Sequence, residues 1–215
     1  MNAPVATVRN KVALRRRGQW APKPRCDEKY HAAAVVLAGG KSARMGRDKR
    51  FLPIHGRPMV QHICEQVFPF FKEIMISAND ADRFADFGVR VVADEVFGLG
   101  PLGGIAAALA TSQYECCFVL PCDMPHVNVA LMARLMAEAC RADCVVPVSQ
   151  ENYFEPLFAV YRKSALPAIR RAILAGERKI MSAIAPCKII TVDIQSDGGL
   201  DNLNTIEEYR RCING

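Results

Sequence analysis

Tryptophan occurs once in this 215-residue chain and histidine four times. No apolar run approaches the ~20 residues that a membrane span requires, which excludes a transmembrane helix. The N-terminus shows no apolar h-region, so no secretory signal is expected. No fixed-period repeat or low-complexity stretch is present, which argues against solenoids and fibrous folds. Cysteine is plentiful, at nine residues, but no two are spaced as CxxC. Cys140 and Cys144 lie four apart without a second pair at zinc-finger spacing. Thiols set in apolar stretches such as CCFVLPC read as reduced core residues, and a cytoplasmic location is expected.

What is present is ordinary globular material, 51% hydrophobic and 23% charged. A chain of this length can bury about 70% of its unfolded surface in one core. The net charge of +6 is local. Residues 1–30 carry eight bases (Arg9, Lys11, Arg15, Arg16, Arg17, Lys23, Arg25, Lys29) against Asp27 and Glu28, so the rest of the chain is balanced. Pro4, Gly18, Pro22 and Pro24 punctuate this segment, and no apolar period runs through it. Residues 1–30 are therefore expected to be a flexible basic tail and 31–215 a single domain. The basic balance describes the tail, so no nucleic-acid partner and no membrane partner is expected.

From His31 the pattern changes. HAAAVVLAGG is a short apolar run ending in glycines, as for a buried parallel strand entering a loop. Val60, Ile63, Cys64, Val67, Phe68 and Phe71 fall on one face of a helix over 58–71. EIMISAN and VRVVAD read as strands, PLGGIAAALATS as a helix of small residues, and ECCFVLPCDMP as a strand. VNVALMARLMAEACR reads as a helix, and DCVVPV, PLFAVY and KIITVDI as strands. Helices are expected near 164–175, 177–185 and 205–212, the last with Thr205 and Glu208 as a capping box. Alternating helices and uniformly apolar strands indicate an α/β layered fold with a mostly parallel sheet. Such sheets bind ligands outside the carboxyl ends of their strands, so chemistry is sought there.

After the first strand comes Leu37-Ala38-Gly39-Gly40-Lys41-Ser42-Ala43-Arg44-Met45-Gly46-Arg47-Asp48-Lys49. Adjacent glycines let a backbone approach a ligand, and successive N–H groups form an anion nest. With Lys41, Arg44, Arg47 and Lys49 this suits a triphosphate. It is not a Walker A loop, because the required glycine at position 35 is Val35. The string Gly98-Leu99-Gly100-Pro101-Leu102-Gly103 matches GxGxxG, but Pro101 and the offset from the strand argue against a dinucleotide fold. Asn79 follows the second strand, with an amide suited to a base edge or to a turn. Asp94 follows the third and leads into the glycine-rich helix start, where anions or polar edges are attracted. Asp123, in Cys122-Asp123-Met124-Pro125, follows the fourth, placed to hold Mg²⁺ with substrate phosphates.

LAGGKSARMGRDK resembles the signature of the molybdenum cofactor guanylyltransferases, within the molybdopterin nucleotidyltransferases. GPLGGIAAAL, CDMP and NLNT are similar to further family motifs in the same order, and the resemblance runs from about Ala33 to Tyr209. It implies a Rossmann-like three-layer nucleotidyltransferase fold and GMP transfer from GTP to molybdopterin, giving the guanine dinucleotide cofactor and pyrophosphate. Leu37, Ala38, Gly39 and Gly40 would hold the nucleotide, Lys49 would contact it, and Asn79 and Asp94 would meet the guanosine. Asp123 matches the Mg²⁺-binding aspartate. Asn202, Asn204 and Arg178 match the pterin side. Glu155-Pro156 replaces the family's His-Pro, and Ile206 stands where the last motif has proline.

The resemblance implies in-line displacement at the α-phosphorus, with Arg44, Lys49 and Asp123 as the catalytic set. GTP, molybdopterin and Mg²⁺ are the expected ligands, with molybdoenzymes or other cofactor-biosynthesis proteins as protein partners. Two other readings stay open. One is a cytidylyltransferase acting on molybdopterin, or another sugar or cofactor nucleotidyltransferase. The other is a non-catalytic GTP-binding protein that delivers cofactor.

Overall fold

Strand β1 (Tyr30–Leu37) shows how this sequence builds three layers. Successive side chains of a strand point to opposite faces. Ala32, Ala34 and Val36 enter one core, and Ala33, Val35 and Leu37 enter the other. Both faces are apolar, so both must be covered by helices. A computed structural model of the protein describes residues 29–39, 48–94, 98–194, 200, 202–203 and 205–214.

The remaining strands of the main sheet are β4 (Phe71–Ser77), β5 (Arg90–Val92), β6 (Cys116–Pro121), β7 (Cys144–Val148), β8 (Ala159–Arg162) and β9 (Ile189–Asp193). A small antiparallel hairpin, β2 (Pro53–Ile54) with β3 (Arg57–Pro58), was not legible as strands. The sheet order is β5-β4-β1-β6-β8-β7-β9. Its pairings are parallel except for β8, which runs antiparallel to both β6 and β7. One core receives α1 (Met59–Val67), α3 (Val129–Glu138) and α6 (Ile206–Asn214). The other receives α2 (Pro101–Thr111), α4 (Leu166–Leu174) and α5 (Ile180–Ile184). The three-layer α/β architecture with a mostly parallel sheet expected from the sequence is therefore the one found.

The expected helix over 58–71 is shorter. α1 stops at Val67, and Phe68 is 62% exposed rather than in the core. Pro69 is the cause. Its ring clashes with the preceding turn and it offers no N–H to a continuing helix. Phe71 instead opens β4 and stacks on Phe118, with ring centroids 5.6 Å apart. The capping box is present, since Glu208 N–H donates to Thr205 Oγ1 at 3.2 Å and Thr205 N–H to Glu208 Oε2 at 3.0 Å. Tyr209 pins α6 to the hairpin by donating its hydroxyl to the Pro53 carbonyl at 2.8 Å. Of the eight described cysteines, five are buried, and all eight are free thiols. Among the described residues no helix is long and apolar enough to cross a membrane.

α2 sits unusually close to the sheet. A Cβ at Gly104 would lie 2.3 Å from Ser77 Oγ and 3.2 Å from Leu37 Cδ2. Glycine is what lets the helix axis reach β1 and β4, bringing its N-terminus down to their carboxyl ends. Gly100, at φ 60°, turns the chain into the helix ahead of Pro101 at the first helical position.

Candidate nucleotide site

The strand order reverses at β1. The chain goes from β1 to β4 and β5 on one side, then crosses to β6 on the other. A crevice opens outside the carboxyl ends at such a switch point. β1 and β6 pair as far as Leu37 opposite Pro121, and the Cys122 N–H then donates to the Leu37 carbonyl at 3.1 Å. The glycine loop and the CDMP turn thus leave the sheet side by side. Leu37 and Ala38 are buried; Gly39 is exposed, and no atom lies within 4 Å of where its Cβ would be. Its backbone is accessible from solvent.

Asp48 caps the short 3-10 helix Lys49–Phe51, accepting from Arg50 N–H at 3.2 Å. That helix aims Lys49 back over the sheet, and its Nζ meets Asp123 Oδ2 at 2.6 Å. The two side chains are 22% and 19% exposed, so both are in reach of a ligand. The loop cation and the strand-end carboxylate expected from the sequence therefore share one cleft. Gly40, Arg44 and Asn204, with Lys41 and Arg47, lie outside the described residues.

Asn79 and Asp94 also meet. Asn79 Nδ2 donates to Asp94 Oδ2 at 3.1 Å, and Asp94 N–H donates to Asn79 Oδ1 at 2.8 Å. The sequence suggested that the Asn79 amide could read a base edge; here each amide atom already has a partner on Asp94, and Asn79 buttresses that carboxylate. A Cβ on Gly103 would lie 3.3 Å from Asp94 Cγ, so Asp94 rests against the first turn of α2. Burial pushes the Asp94 carboxyl above its ordinary value, an effect the Asn79 hydrogen bond opposes.

The pterin-side candidates divide. Asn202 is exposed, and its neighbour Leu203 donates its N–H to the Asp123 carbonyl at 2.8 Å. That bond ties the NLNT segment to the CDMP turn. Arg178 is exposed in the turn before α5, its N–H held by Glu177 Oε1 at 2.8 Å, with no contact to Lys49 or Asp123. Glu155 lies between β7 and β8, and burial pushes its carboxyl up.

A hard carboxylate oxygen at a strand end, partly exposed and beside an anion loop, suits Mg²⁺ that takes its other ligands from phosphates and water. Among the described residues no group of three or more His, Cys, Asp or Glu side chains is arranged to hold a metal ion. Asp123 is a carboxylate donor that the described part of this cleft offers, and its chemistry fits.

Sequence reasoning missed Arg50. It is the only charged residue buried among those described, at 6% exposure. Its guanidinium joins Asp48, Asp80 and the Ala38 carbonyl. Asp48, two residues away, was a local hint; Asp80, thirty residues on, has no signal in a single sequence.

A family model described as the MobA-like NTP transferase domain matches residues 34–189. The molybdenum cofactor guanylyltransferase of Shewanella halifaxensis is 36% identical over 183 residues, covering 83% of this chain and 92% of that one. The molybdenum cofactor guanylyltransferase of Pseudomonas entomophila is 34% identical, covering 80% and 93%. Among solved structures, molybdopterin-guanine dinucleotide biosynthesis protein A from Archaeoglobus fulgidus superposes with a TM-score of 0.71 at 26% identity, over 85% of this chain and 97% of that one. With the motifs, the sheet order and the Lys49–Asp123 cleft, these matches show that the chain belongs to the MobA-like NTP transferase family, nucleotidyltransferases that include the molybdenum cofactor guanylyltransferases.

Proposed function

We propose that the protein transfers GMP from GTP to molybdopterin, forming the guanine dinucleotide cofactor and releasing pyrophosphate. The observation that carries this is the meeting of Lys49 and Asp123 at 2.6 Å, next to the exposed backbone of Gly39. The guanylyltransferase names of its relatives supply the base and the acceptor.

An oxygen of the molybdopterin phosphate forms a bond to the α-phosphorus of GTP while the bond from that phosphorus to the pyrophosphate oxygen breaks. A phosphate monoester is already anionic near pH 7, so no side chain need act as a base. Catalysis is then positioning and charge neutralisation. Leu37, Ala38, Gly39 and Gly40 seat the nucleotide along the loop. Lys49 and Arg44 neutralise the non-bridging oxygens and the departing pyrophosphate. Asp123 is the carboxylate that holds Mg²⁺, which when bound offsets polyphosphate charge. Asp94, braced by Asn79, accepts from the N1–H and 2-amino donors of guanine. Asn202, Asn204 and Arg178 are assigned to the pterin half by their match to the family motifs. The buried free thiols fit a reducing cytoplasm.

Pyrophosphate release with purified molybdopterin, GTP and Mg²⁺ tests this. Release dependent on all three is the expected result. Saturable GTP binding without release points instead to a cofactor-delivery protein.

A further inference from the structure

We infer that Arg50 is a positioning residue that clamps both ends of the glycine loop, and through that clamp sets Lys49 against Asp123 for nucleotide transfer. The inference rests on the guanylyl-transfer reading and adds to it a residue that touches no substrate.

An arginine side chain has five N–H donors in a fixed fork. All five are used. Nε donates to Asp48 Oδ1 at 2.9 Å. One terminal nitrogen donates to the Ala38 carbonyl at 2.9 Å and to Asp80 Oδ1 at 2.8 Å. The other donates to Asp48 Oδ2 and Asp80 Oδ2, each at 2.7 Å. Two carboxylates are thus held bidentately by one guanidinium, and its last donor goes to the backbone.

The three anchors are not arbitrary. Ala38 is the last buried residue before the loop, and Asp48 is its far end, capping the helix that bears Lys49. Asp80 follows β4, one residue after Asn79. A single side chain therefore ties the loop's entrance, its exit and the neighbouring strand end. Arg83 closes the cluster, hydrogen-bonded to Asp48 and 3.6 Å from Asp80 Oδ2. Two cations and two carboxylates balance, so the clamp adds no net charge to the cleft. Its effect on phosphates is geometric.

Lysine keeps the charge but has three donors on a flexible stem and cannot reproduce both forks. Arg50→Lys should therefore loosen the hold on Ala38, Asp48 and the short helix that bears Lys49. Misplacement by about 1 Å can cost on the order of 10²-fold in rate, and we expect a loss of that order in kcat/KM for GTP. Losing both forks should also lower the melting temperature, so the kinetics are read per folded molecule. In the Lys49→Ala background the same substitution should cost less than about twofold, because the group it positions is gone.

Wild-type kcat/KM in Arg50→Lys, or fully additive losses in the double variant, would overturn the inference. So would a lowered melting temperature with kcat/KM unchanged per folded molecule. If Arg50→Lys does not fold, Asp80→Asn, which cuts one fork at a partly exposed partner, carries the same test. If the wild-type chain releases no pyrophosphate, it is guanylyl transfer that fails. Arg50 is then read from affinity for Mg²⁺-GTP, where a weakened Kd in Arg50→Lys supports the clamp and an unchanged one refutes it.

Discussion

Lys49 and Asp123 are 74 residues apart in sequence and 2.6 Å apart in space. The contact joins the end of the glycine loop to the end of β6. In the proposed reaction both side chains turn to the nucleotide, Lys49 to phosphate oxygens and Asp123 to the magnesium ion. Removing either should hurt turnover more than stability. A single, partly exposed ion pair contributes modestly to folding, on the order of 1 kcal/mol. Removing a preorganised transition-state cation costs roughly 2–4 kcal/mol, or 10²–10³ in rate. Lys49→Ala should show that loss in kcat/KM for GTP, and Asp123→Ala should abolish measurable turnover. Steady-state kinetics beside thermal melting separates the two effects. Near-wild-type kinetics in either variant would remove that residue from the site.

Asp94 faces a different test. Asn in its place can still pair with Asn79, but a donor then replaces one acceptor. Guanine presents donors at N1 and its 2-amino group, so two donors would oppose each other. An unmatched polar contact of this kind costs about 1–3 kcal/mol. Asp94→Asn should weaken GTP use roughly 10- to 100-fold and erode the preference for GTP over CTP. Parallel KM measurements with the two nucleotides check it; an unchanged ratio would take Asp94 out of base recognition.

Gly104 tests the packing that brings α2 onto the sheet. Alanine there would put Cβ 2.3 Å from Ser77 Oγ. Overpacking a dense core costs about 1–3 kcal/mol, so the melting temperature should fall by roughly 2–10 °C. Ser77→Ala combined with Gly104→Ala should recover part of that loss. Recovery confirms the clash as its cause.

Much of this architecture was legible because it is written locally. Parallel strands buried on both faces must be apolar throughout, and β6, β7 and β1 from Ala32 onward are. The glycines, cations and acid of the cleft all follow strands, and strand ends are where an α/β sheet binds. Phe68 and Phe71 misled because period 3.6 extended past Pro69, and the proline's steric veto outweighs periodicity. The Arg50 clamp was hidden for another reason. Its meaning depends on Asp80, on another strand end, and no spacing rule links the two. Asn79 was half legible, since its amide was noticed but its partner Asp94 was not.

The clamp also predicts acid behaviour. Arg50's hydrogen bonds are the main cause that lowers the Asp48 carboxyl from 3.8 to about 2, and they lower Asp80 as well. A carboxylate with a depressed folded-state pKa stabilises fully above its unfolded value, and that contribution disappears as pH falls through the folded one. Stability should therefore drop between about pH 4 and pH 2. Asp80→Asn should make that drop shallower. Melting curves across the range measure the slope, and identical slopes in wild type and variant would show that Asp80 takes no part.

Guanylyl transfer to molybdopterin is examined most directly by offering GTP, CTP and ATP together at equal concentration with the molybdopterin acceptor and Mg²⁺, and weighing the product by mass spectrometry. The guanine dinucleotide should predominate, with pyrophosphate released in equal amount. A cytosine dinucleotide as the main product, or nucleotide bound with no dinucleotide formed, would contradict the account.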